Sequence, residues 1–112
     1  MSRREWLLLV EDMLAAIQKI GMYLEGFDFE SFRADSRTVD AVLRNLEAIG
    51  EAANALLPEV CDRAPLVDWR GVVGLRNRLI HEYFDVSSSM VWFIATRELP
   101  VLERQLQVLC SR

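Results

Sequence analysis

The chain has 112 residues, 52% of them apolar, a formal charge of −4, and no apolar run approaching the ~18 residues that a membrane span needs. That length suits one domain over residues 1–112 with a single core, and the acidic balance excludes a protein that grips nucleic acid through its bulk field, so any such contact must come from a local basic patch. Arg3 and Arg4 precede an apolar stretch without a small-residue cleavage site, unlike a secretory leader, and Cys61 and Cys110 lack metal-ligand spacing, which predicts a soluble cytoplasmic chain with free thiols.

Trp6, Leu9, Val10, Met13, Ile17, Ile20 and Leu24 recur at steps of three and four and predict a first long amphipathic helix, closed by Gly26. DFESFRAD then reads as a short helical turn with Asp28 as its N-cap. A second long helix is expected from near Asp35 or Ser36 to before Pro58, with Val39, Val42, Leu43, Leu46, Ile49, Ala53 and Leu56 as its main apolar face. Its second line, Ala41, Asn45, Ala48, Ala52 and Ala55, is small enough to let another helix approach. Residues 58–67 read as a connector, and Asp68 is placed to cap a helix that starts at Trp69. Ser87 is placed to cap the last helix, which Pro100 should kink or interrupt; Trp92 and Phe93, whose rings could stack on bases, are assigned to the core. No alternating pattern, internal repeat or low-complexity tract appears, so the expected fold is all-α, an up-and-down bundle of four to five helices.

The stretch RGVVGLRNRLIHEYFDV concentrates the chemistry, because the chain's one histidine, His81, stands there among arginines. An imidazole titrates near neutrality and shuttles protons, whereas a guanidinium stays charged and holds phosphate oxygens through a planar fork. On a straight helix Arg76 falls in an apolar arc with Trp69, Val72, Val73, Ile80 and Tyr83, so it must meet a carboxylate, line a cleft or face a second subunit. An ion pair with Glu47 or Glu51 is the plain alternative to a functional role. His81 lies ~140° round the same ideal helix, so either the helix ends or distorts before it, or a site is assembled across a two-fold axis. Asn77 and Arg78 are candidate phosphate or substrate contacts and equally ordinary surface groups. Arg44, Glu47 and Glu51 share one helix face; solvation explains such a triplet, and the functional alternative is that Glu51 holds Arg76 or relays a proton.

The spacing Arg76-x4-His81-x-Tyr83 resembles the HEPN superfamily and, within it, the HepT-like toxins. AVLRNLEAIGEAA at 41–53, VDWRGVVGLRNRLIHEYF at 67–84, and the pairing of MVWFI with RELPVLERQL follow the order seen in that family, so the resemblance covers nearly the whole chain. It implies a HEPN-like helical fold and a homodimer that cleaves RNA without metal or other cofactor, leaving 2′,3′-cyclic phosphate and 5′-hydroxyl ends. Arg76 and His81 would be catalytic, with Asn77 and Arg78 assisting substrate binding. It also implies a type VII-like toxin–antitoxin system in which a minimal nucleotidyltransferase antitoxin adenylylates Tyr83. The rival from another class is a noncatalytic helical module that binds a nucleotide or nucleotidyltransferase and uses Arg76 and His81 only as phosphate ligands.

Overall fold

The computed structural model describes residues 1–80 and 88–111, less the side chains of Arg76 and Ile80; the expected Ser87 cap lies outside the described residues. Those residues form helices α1 (Arg3–Tyr23), α2 (Phe29–Ala34), α3 (Ser36–Ala55), α4 (Pro58–Cys61), α5 (Trp69–Val73), α6 (Leu75–Ile80), α7 (Ser88–Phe93), a π-helical turn over Ile94–Glu98, and α8 (Leu99–Cys110). No strand occurs among them, and the fold is all-α.

Helix α1 begins at a capping box: the Ser2 hydroxyl accepts from the Glu5 amide at 3.2 Å and the Glu5 carboxylate accepts from the Ser2 amide at 3.1 Å. Its predicted stripe is buried at Trp6, Val10, Met13, Ile17 and Ile20, with Leu9 and Leu24 half-buried beside it. Gly26, at φ +80°, supplies the left-handed turn that redirects the chain.

The Asp28 carboxylate then accepts from the Ser31 amide at 2.8 Å, starting α2 where the sequence places it. That hydrogen bond, with a second from the Ser31 side chain, holds Asp28 below the ordinary carboxyl value of 3.8. A depressed carboxyl contributes stability that is fully present above the unfolded-state value and is lost as pH falls through the folded one. Thermal melts from about pH 6 down to about pH 2 should therefore show the parent losing more stability than Asp28→Asn, whose amide still caps but does not titrate. Equal slopes for the two proteins would contradict this.

Asp35 caps α3 through the Thr38 amide at 3.2 Å, and Val42, Leu46, Ile49, Ala53 and Leu56 lie buried along its inner face. This helix is the central post, in contact with α1, α2, α5, α6 and α7, while α8 packs against α1. Of its small-residue line, Ala41, Asn45 and Ala52 are half-buried and Ala48 and Ala55 are exposed, so that line is only partly covered within one chain.

Two sequence expectations are corrected and one is made specific. The connector contains a helical turn, α4, with Pro58 at its start; the Trp69 indole donates to the Cys61 and Ala64 carbonyls, both at 3.1 Å, and ties that turn to α5. The interruption expected at Pro100 is present. The interruption precedes it as the π turn, in which the Leu99 amide donates to the Ile94 carbonyl five residues back. A proline in a regular helix lacks a donor and crowds the carbonyl four residues earlier, here that of Thr96, and widening the preceding turn relieves both. Phe93 is not in the core: it is 55% exposed, whereas Trp92 is half-buried against Phe32 and Phe29 at ring distances of 5.2 and 6.2 Å. No described helix is long and apolar enough to cross a membrane.

Candidate functional site

Asp68 starts the motif-bearing segment by accepting from the Gly71 amide at 3.1 Å, and a Cβ built on Gly71 would overlap that carboxylate, so a side chain there would displace the cap. The expected single helix from Trp69 is in fact two. At Gly74 the backbone adopts ψ −3° in place of the helical value near about −42°, tightening the turn and offsetting α6 from α5. The regular wheel on which Trp69, Val72 and Val73 flank Arg76 is thus interrupted at Gly74, and the placement of the Arg76 side chain lies outside the described residues.

Helix α6 is anchored by Leu75 and Leu79, one turn apart and 4% and 3% exposed, while Asn77 and Arg78 are exposed. Arg76 stands on this helix immediately after Leu75; its side chain, and all of His81 and Tyr83, fall outside the described residues. Helix α3 packs against α6 and carries Glu47, half-buried, and Glu51, exposed; among the described residues neither carboxylate has an ion-pair partner. Arg44 is exposed as well, as the solvated view of that triplet expects.

Arg78 is the one sequence-predicted substrate contact whose side chain has a defined partner, donating from Nη2 to the Glu98 carboxylate at 3.4 Å. Both side chains are about two-fifths exposed (39% and 43%), so water screens the pair and its contribution to stability is small. The bond spans from α6 to the π turn across a groove of about 330 Å³. Val72, Leu75 and Leu102 help to form its apolar walls, and Phe93, Arg97 and Gln105 stand along it. Arg97, Glu98 and the exposure of Phe93 escaped the sequence reading. The spacing of Phe93 and Arg97 at one helical turn was the available signal, but an aromatic next to Trp92 reads as core.

The two cysteines are free and half-buried. Burial, followed by the Asp62 charge, pushes the Cys61 thiol above its ordinary 9.0; burial and then Glu11 do the same to Cys110, with Arg3 opposing. Both are protonated near neutrality and neither is a thiolate nucleophile. Among the described residues no group of three or more His, Cys, Asp or Glu is arranged to hold a metal ion.

Comparison with known proteins places this geometry in context. The family model described as "Ribonuclease HepT-like" matches residues 13–109. The chain is 36% identical over 89 residues to "Putative RNase TTE0752" of Caldanaerobacter subterraneus subsp. tengcongensis, covering 80% of each chain. It is 33% identical over 100 residues to "Probable ribonuclease HepT" of Thermococcus cleftensis, covering 89% of this chain and 91% of that protein. "Putative RNase MJ1380" of Methanocaldococcus jannaschii is 30% identical over 108 residues, covering 96% of this chain and 99% of the relative. No solved structure shows a significant match.

Proposed function

The chain belongs to the ribonuclease HepT-like family, and from that premise we propose that it is a cytoplasmic, metal-independent endoribonuclease, the toxin of a type VII-like toxin–antitoxin system that cuts tRNA or mRNA. The observation that carries this is the motif Arg76-x4-His81-x-Tyr83 inside the family-matched segment 13–109. His81 accepts the 2′-hydroxyl proton as the 2′-oxygen bonds to phosphorus, and the bond to the 5′-oxygen breaks as that oxygen takes a proton from a second His81. The products are a 2′,3′-cyclic phosphate and a 5′-hydroxyl. With one histidine per chain, two proton-transfer groups call for a homodimer.

Arg76 sets a permanent positive charge against the phosphorane oxygens, where charge accumulates. Asn77 and Arg78 hold the substrate backbone from the exposed side of α6, and Glu51, on the helix packed behind it, steadies Arg76. Tyr83 is the regulatory residue: a cognate minimal nucleotidyltransferase antitoxin adenylylates its hydroxyl, and the added phosphate and base cancel the local positive field and block the cleft.

Incubating the purified protein with RNA in EDTA should yield fragments ending in 2′,3′-cyclic phosphate. Their absence would leave the rival, a noncatalytic module that binds a nucleotide or a nucleotidyltransferase, to which a formal charge of −4 is well suited.

A further inference from the structure

We propose that the groove between α5–α6 and the π turn with the start of α8 is a subsite for one nucleotide of single-stranded RNA, stacking its base on Phe93 and holding its phosphate with Arg78 and Arg97. This rests on the ribonuclease reading and adds to it a specificity pocket. At about 330 Å³ the groove has the size of a small-ligand site and suits a single splayed-out nucleoside better than a duplex, which single-strand recognition requires.

Its chemistry is divided as a nucleotide's is. Val72, Leu75 and Leu102 offer an apolar floor, and Phe93, 55% exposed, presents an aromatic ring although its neighbour Trp92 is packed inward. Such a ring is a stacking platform for any base. Two guanidinium-bearing residues stand along the groove, beside the carboxylates of Asp68 and Glu98. Among the described residues Arg97 is exposed with no ion pair, and the one side-chain partner of Arg78 is Glu98, through an exposed 3.4 Å contact that a phosphate can replace. Glu98 accepts hydrogen bonds from base N–H groups, which every base offers, uracil through N3–H, so base preference here comes from stacking strength on Phe93.

The test uses full-length protein in EDTA and 2′-O-methyl oligonucleotides, which lack the nucleophile, with binding read by fluorescence anisotropy. Phe93→Ala and Arg97→Gln should each weaken binding about tenfold or more, and Phe93→Trp should restore it. Melting temperature and oligomeric state should stay at parental values, because both Phe93 and Arg97 are exposed. With cleavable RNA, Phe93→Ala should raise KM and flatten the base preference beside the cut.

Parental affinity and KM in Phe93→Ala and Arg97→Gln, alongside a parent that cleaves RNA, would overturn the subsite and leave the nuclease standing. A change of oligomeric state in Phe93→Ala with RNA affinity intact would also overturn it, marking the face as a protein contact. Groove-dependent binding by a parent that never produces cyclic phosphate ends would support the subsite while removing the nuclease reading.

Discussion

His81→Ala is expected to lower RNA cleavage in EDTA by about 10⁴-fold, to background, without loss of the folded state. The chain has no second imidazole, its thiols are held protonated by burial, and a guanidinium does not release its proton near neutrality, so His81 is the group best suited to move protons in that range. In a homodimer the substitution removes both the group that takes the 2′-hydroxyl proton and the group that protonates the 5′-oxygen. The parent should accordingly show a bell-shaped dependence of kcat/KM on pH, with two macroscopic limbs belonging to the histidine pair. Quantifying cyclic phosphate ends over time, with circular dichroism on the same samples, checks the expectation. Cleavage at the parental rate by rigorously purified His81→Ala would remove this residue from the mechanism.

The largest effect on stability is expected from Phe32→Ala, at about 3–5 kcal/mol. Phe32 is wholly buried and its ring lies 5.2 Å from that of Trp92, tilted by 44°. Helix α2 has only six residues and cannot persist by its own hydrogen bonds; Asp28 starts it and Phe32 secures it. Through the contact with Trp92 the same side chain fixes α7, which leads into the π turn bearing Arg97 and Glu98. Against a total of about 5–15 kcal/mol for a domain of this size, the loss is a large fraction. Urea titration followed by tryptophan fluorescence should show a much lower midpoint with a similar slope, and Phe29→Ala, at a half-buried position, should cost clearly less. A Phe32→Ala midpoint close to the parent's would contradict this placement of the core.

Much of the fold is legible in the sequence because long amphipathic stripes and side-chain caps are local signals. The stripes of α1 and α3, the break at Gly26, the start of α3 near Asp35 and the caps at Asp28 and Asp68 all stand where spacing and residue type put them. The capping box at Ser2 and Glu5 was equally available, in the pattern Ser-x-x-Glu ahead of an apolar run. Other features depend on tertiary balance. A glycine within a helical pattern is usually tolerated, and only the Gly74 dihedrals reveal that α5 and α6 are separate; a proline announces a disturbance but not that the preceding turn will widen to absorb it. Of the candidate site, residue types and spacing were visible, including the family resemblance. The pairing of Arg78 with Glu98 was not, since it joins residues 20 positions apart on different helices.

The most direct measurement mixes parental and His81→Ala chains in equal amounts after dissociating and reassociating them. If the imidazoles of both chains act on one phosphodiester, a mixed dimer is inactive, and random pairing leaves about a quarter of the cleavage given by the same amount of parental protein. Retention of about half, from a mixture that demonstrably contains mixed dimers, would contradict a site shared between two chains.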